Sequence, residues 1–118
     1  MKDDRPYLEH ILECINRITE YTHEGKKFFL TNKKTQGAVL RNLQTLAESA
    51  RRLSERLKAQ RLEVDWRAIT AFRNVVVHDY LGIDLEQVWQ IIEHDLPDLK
   101  PKVERMVRDL AQLRHGRG

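Results

Sequence analysis

The sequence predicts an all-α fold, an antiparallel bundle of four to five helices, and three observations carry that prediction. Apolar residues recur at three- and four-residue spacing through most of the chain. Gly and Pro are few, 5 and 3 in 118 residues, which leaves long stretches free to stay helical. The composition, 41% hydrophobic and 33% charged, is the mixture that amphipathic helices need. At this length one hydrophobic core suffices. No repeat, low-complexity tract or linker divides the chain, so a single domain over 1–118 is expected, with a frayed tail at 114–118.

Each element follows from its own pattern. Tyr7, Leu8, Ile11, Leu12, Ile15, Ile18 and Tyr21 share one face of a helix running from near Asp4 to about Gly25. Phe28-Phe29-Leu30 forms a short apolar patch, and Thr31-Asn32-Lys33-Lys34-Thr35 reads as a loop. Val39, Leu40, Leu43, Leu46, Ala47, Ala50, Leu53 and Leu57 then predict one long helix from Thr35 to about Arg61. At 1.5 Å per residue it spans about 40 Å. Arg51, Arg52, Glu55 and Arg56 fall mostly on its other side.

Asp65 is placed to cap a third helix carrying Trp66, Ile69, Phe72, Val76, Val77 and Tyr80, with Gly82 as its stop. Asp84 with Gln87 three residues on resembles a capping box for a fourth helix, along Leu85, Val88, Trp89, Ile92 and Leu96. Proline is tolerated only near a helix start, so Pro97 predicts a fifth helix from near Asp95 through Val103, Met106, Val107, Leu110 and Leu113.

Composition also excludes. No apolar run approaches the roughly 20 residues of a membrane span, and the N-terminus lacks the apolar stretch of a signal peptide, so a cytoplasmic protein is expected. The single cysteine, Cys14, cannot form an internal disulfide and reads as a small, reduced, partly buried apolar residue. The net charge of +3, with a pI near 9.2, permits an anionic partner without demanding one. Phosphate-binding, dinucleotide-binding, zinc-protease and esterase motifs are missing. None of His10, His23, His78, His94 and His115 lies three or four residues from another, so neither a metal site nor a cofactor is expected.

One segment stands out. Arg73-Asn74-Val75-Val76-Val77-His78-Asp79-Tyr80 sets a cation, an imidazole and a phenol around three β-branched residues. Arg-x4-His alone is a poor signal, since 13 Arg and 5 His in 118 residues predict about 0.6 chance occurrences, and Arg5 with His10 matches too. The Arg73 copy differs because it adjoins a predicted helix junction and is extended by Asn74 and Tyr80.

The run Arg-Asn-x3-His-x-Tyr resembles the HepT branch of the HEPN superfamily. Trp66-Arg67 upstream and Leu81-Gly82-Ile83-Asp84, Val88-Trp89 and Asp95-Leu96-Pro97 downstream fit the same likeness. Ala38 to Leu43 and Ala47 to Ala50 fit that family's long second helix, although this chain has Ala47-Glu48-Ser49 where Gly-Glu-Ala is expected, a departure that bears on local packing. The resemblance spans nearly the whole chain. It implies an all-α homodimer and a toxin that cleaves RNA without metal, one half of a type VII-like toxin–antitoxin pair. It also implies a nucleotidyltransferase-fold antitoxin that neutralises the toxin by attaching AMP to the motif tyrosine, here Tyr80.

The chemistry suits these residues. Metal-free RNA cleavage needs a base for the ribose 2′-OH, an acid for the leaving 5′-oxygen and a cation for the charge growing on phosphorus. Histidine serves the proton transfers because its unperturbed pKa, about 6.5, lies near the operating pH. Arg73 can grip two phosphate oxygens through its planar guanidinium. A single copy of each is too few, and five helical residues rotate by about 500°, leaving Arg73 and His78 some 140° apart. A two-fold dimer answers both difficulties by bringing two arginines and two histidines to one cleft. Asn74, four residues from His78, can orient the imidazole or contact ribose, and Tyr80 lies nearly two turns from Arg73 on the same face.

Each residue also has an ordinary structural reading. Arg73 can pair with Asp79 or a carboxylate on another helix, His78 can end a helix, and Tyr80, Trp66 and Trp89 can cap or fill the core. The competing function is a non-catalytic helical module that binds, or is the substrate of, a nucleotidyltransferase.

Overall fold

The computed structural model describes residues 3–77 and 84–116, with side chains to Asn74 and Gln112 at two helix ends. The described elements are all helices: α1 (Arg5–Tyr21), α2 (Lys26–Thr31), α3 (Lys33–Arg52), α4 (Glu55–Gln60), α5 (Trp66–Val77), α6 (Leu85–Gln90) and α7 (Leu96–Gly116), with a π-helical turn at Ile91–Asp95 joining the last two. None is long and apolar enough to cross a membrane. They pack into a body of 51 × 26 × 20 Å.

The direction of packing can be read from three side-chain pairs. Asp4 meets Ser54, His10 meets Ser49 and Cys14 meets Thr45, so α3 runs backwards as α1 runs forwards. The two helices are antiparallel. Between them Leu8, Ile11, Ile15 and Ile18 of α1 meet Val39, Leu43 and Leu46 of α3, all at most 1% exposed. Each such side chain stabilises the fold by roughly 1.5–3 kcal/mol relative to an exposed one. Cys14 is fully buried rather than partly so, and is free.

The ends of the helices differ from the sequence expectation in five places, each for a physical reason. α1 ends at Tyr21, and a short turn leads to Gly25, whose φ of 97° is open only to a residue without a Cβ. Phe28-Phe29-Leu30 is not a patch before a loop but part of α2. There Phe29 is fully buried and meets the Trp89 ring at 5.6 Å between centroids. The expected loop at 31–35 shrinks to Asn32, because its side chain accepts from the Thr35 backbone N–H at 2.9 Å and starts α3 at Lys33.

The expected long helix to Arg61 is broken after Arg52. Asp4 accepts from the Ser54 backbone N–H at 2.7 Å and from its hydroxyl at 2.6 Å, while Ser54 Oγ accepts from Leu57 N–H at 3.1 Å. One serine thus ties α1 to the start of α4, and α3 keeps 20 residues, about 30 Å.

The other caps agree with the sequence. Asp65 accepts from Ala68 N–H at 3.1 Å and Asp84 from Gln87 N–H at 3.1 Å. The expected new helix at Asp95 is instead a continuation. Leu96 N–H bonds to the Ile91 carbonyl five residues back, and this widened turn eases the passage of Pro97 without ending the helix. Pro101 lies inside α7 on its exposed side. Val88, Trp89, Leu96, Val103 and Met106 are buried as their spacing predicts, while Gly82 and Tyr80 lie outside the described residues.

Two predictions follow from this packing. Burial pushes the Cys14 thiol above its ordinary pKa, so it should react with a thiol reagent far more slowly in native than in denatured protein. Reaction at a free-thiol rate under native conditions would contradict the α1–α3 contact. Burial likewise pushes the Asp95 carboxyl up, with His94 opposing and Asp98 reinforcing. The folded state therefore holds this proton more tightly than the unfolded chain. That linkage favours folding below the unfolded pKa and is lost as pH rises through the folded value. Asp95→Asn should raise Tm at pH 7, and thermal melts should show the gain vanishing below the usual carboxylate range; an equal gain at both pH values would mean packing, not charge.

Candidate functional site

Arg73 owes its position to the two apolar residues beside it. Ile69 and Phe72 are buried at 6% and 4% exposure, which fixes the rotation of α5 and leaves Arg73 at the rim of the core on the flank facing α3. From there Arg73 Nη1 reaches Glu48 Oε1 at 3.4 Å. The guanidinium stays half exposed, at 52%, and Asn74, the next residue, is exposed too.

Glu48 has a second partner. Arg51, one turn further along α3, donates through Nη2 to Glu48 Oε2 at 3.2 Å. The two guanidinium groups therefore hold opposite oxygens of one carboxylate. The Arg51 hydrogen bond, aided by the charges of Arg51, Arg73 and Arg52, holds the Glu48 carboxyl below the usual range against the opposing effect of desolvation. At neutral pH Glu48 is thus an ionised acceptor that fixes cations and is unsuited to proton transfer.

Glu48 is thus the carboxylate on another helix that pairs with Arg73, and it carries no motif of its own. A signal was present: Glu48 is the sole acidic residue of α3, among Lys33, Lys34, Arg41, Arg51 and Arg52. His78 and Tyr80 lie outside the described residues, so the proton-transfer and modification positions rest on the sequence. Val77, the last described residue of α5, immediately precedes His78.

Trp66 and Trp89 serve structure. Trp66 Nε1 donates to the Arg61 carbonyl at 3.1 Å, and the buried Trp89 donates to Glu93. His10 is hydrogen-bonded to Ser49 at 2.6 Å between α1 and α3, so the other Arg-x4-His copy, Arg5 with His10, has its histidine committed to packing. Its arginine is paired with Glu9 at 2.9 Å.

A cavity of about 190 Å³ opens between α5 and α7, with Val64, Ile69 and Phe72 at its apolar part and Asp65, Asp95 and Asp98 among its polar groups. Lys102 offsets Asp98 at 3.0 Å but leaves Asp65 and Asp95 to disfavour phosphate, and the cavity lies roughly a quarter turn of α5 away from Arg73. The half-exposed surface around Arg73 suits an anion better than this cavity does. Among the described residues no group of three His, Cys, Asp or Glu side chains is arranged to hold a metal ion.

Comparison with known proteins finds relatives along most of the chain. The family described as "Ribonuclease HepT-like" matches residues 11–106, which include Glu48, Arg51 and the whole Arg73–Tyr80 segment. The chain is 35% identical over 106 residues to the "Probable ribonuclease HepT" of Thermococcus cleftensis, covering 89% of this chain and 96% of that protein. It is 32% identical over 104 residues to a candidate RNase of Methanocaldococcus jannaschii, covering 87% and 95%. A second protein of that organism, described as a gamma-glutamylcyclotransferase and candidate RNase, is 29% identical over 117 residues, and this chain spans 53% of it. No solved structure matches. With the family model covering most of the chain and a relative of 35% identity matched almost end to end, the chain belongs to the HepT-like ribonuclease family.

Proposed function

We propose that the protein is a metal-independent endoribonuclease toxin that works as a homodimer. The observation that carries the reading is the family match spanning the Arg73–Tyr80 segment, with Arg73 half exposed in the last part of α5 and followed in sequence by Asn74 and, four residues further on, His78. In this reading Arg73 grips the scissile phosphate. One His78 takes the proton of the ribose 2′-OH as that oxygen attacks phosphorus, and the His78 of the second copy gives a proton to the departing 5′-oxygen. The bond from phosphorus to the 5′-oxygen breaks as the one to the 2′-oxygen forms, leaving a 2′,3′-cyclic phosphate and a 5′-hydroxyl. Asn74 orients the imidazole or contacts ribose.

Neutralisation follows the same geometry. A nucleotidyltransferase-fold antitoxin transfers AMP from ATP to the hydroxyl of Tyr80, releasing pyrophosphate, at a position seven residues from Arg73. The added phosphate then sits against the guanidinium, where it occupies the substrate site and cancels its charge.

Purified protein should cleave RNA in excess EDTA and yield those two product ends. His78→Ala and Arg73→Ala should each lower the rate by about 10²-fold or more without loss of helical structure. Undiminished cleavage by both variants would refute the assignment. No cleavage of varied RNAs by a protein that still accepts AMP on Tyr80 would instead favour the non-catalytic substrate role.

A further inference from the structure

Four arginines follow one another at the end of α3, in α4 and at its C-terminal cap: Arg51, Arg52, Arg56 and Arg61. By sequence they are equivalent members of a basic face, but the structure separates them. Arg61 is only 26% exposed and donates to Asp109 of α7 at 2.7 Å, a tie between elements. Arg52 and Arg56 are exposed, and Arg52 acts on Glu48 only through its charge. Arg51 alone shares a carboxylate with Arg73.

We infer that Arg51 is a second substrate-phosphate contact beside Arg73, and that Glu48 is the positioning residue that holds the two guanidinium groups side by side. This rests on the ribonuclease reading and adds a binding position to it. The nitrogens in contact are separated by no more than their 3.2 and 3.4 Å bonds and the width of one carboxylate. Arg51 and Arg73 are 58% and 52% exposed, so both cations are open to a polyanion. The trio keeps a net charge of +1, since two guanidinium groups outweigh one carboxylate.

A structural role alone does not account for the arrangement. Exposed ion pairs of this kind add little to stability, and α3 and α5 are already held by Leu43, Leu46, Ile69 and Phe72. What the carboxylate does change is the geometry of the cations before RNA arrives. Each guanidinium has five N–H donors and uses one on Glu48, which leaves its other edges for phosphate oxygens. Glu48 and phosphate therefore need not compete. Arg73 meets the scissile phosphate and Arg51 its neighbour along the strand, and a preset pair lowers the ordering cost of binding both.

The test is the salt dependence of binding to a short single-stranded oligonucleotide with 2′-deoxyribose at the cleavage position, together with steady-state cleavage of its all-ribose twin. A lost phosphate contact lowers the slope of log K against log salt by about 0.7 for single strands. Arg51→Gln should show that drop and a rise in KM of about three- to tenfold, while Arg56→Gln should show neither. Glu48→Gln should lower kcat about tenfold without raising KM, because it releases the cations while removing a negative charge.

An Arg51→Gln protein with the parental slope and KM overturns the binding role, and a Glu48→Gln protein with the parental kcat overturns the positioning role. The binding measurement involves no cleavage. If the unaltered protein cuts no RNA, the ribonuclease reading falls, yet the slope still decides whether Arg51 meets a phosphate.

Discussion

The antiparallel contact of α1 with α3 is the constraint on which the rest depends. It buries Leu8, Ile11, Ile15 and Ile18 against Val39, Leu43 and Leu46, and so fixes the rotation of α3 about its own axis. Once that rotation is set, Ser49 must face His10 of α1 and Glu48, one residue before it, must face the α5 side. The position of the candidate site is thus a consequence of core packing. Ile69 and Phe72 do for α5 what the leucines do for α3, and the two rotations together bring Arg73 within reach of Glu48.

The same economy limits the chemistry one copy can perform. In the proposed mechanism a single Arg73 supplies one phosphate clamp and a single His78 one proton-transfer group, where 2′-OH attack and 5′-oxygen departure each need one. The proposed pairing of two copies resolves the shortage with no additional residue type. Arg51 extends the cationic surface without extending the proton-transfer set, and Glu48, ionised under its arginine partners, can only organise charge.

Much of the fold was legible in the sequence, because helical periodicity records which face meets the core. Val39 through Leu57, Ile69, Phe72, Val88, Val103 and Met106 are buried where their spacing puts them. The breaks were harder to read. Ser54 interrupts the long helix through a bond to Asp4, fifty residues away, and Pro97 is absorbed by a π turn. Neither effect has a local signature, since a short polar residue and a proline are compatible with several backbone outcomes. In the site, Arg73 stood out through its motif, whereas Glu48 did not. Its significance comes from a contact between two helices, and sequence spacing carries no information on which flanks of two helices meet. The sequence had instead marked Ala47-Glu48-Ser49 as a matter of packing.

The convergence of two copies on one phosphate is tested most directly by mixing. Unaltered and His78→Ala chains, refolded together at varied ratios with total protein constant, should lose ribonuclease activity as the square of the unaltered fraction, since each cleft requires both histidines. A loss linear in that fraction would mean that each copy cuts RNA by itself, and the shared cleft would be wrong.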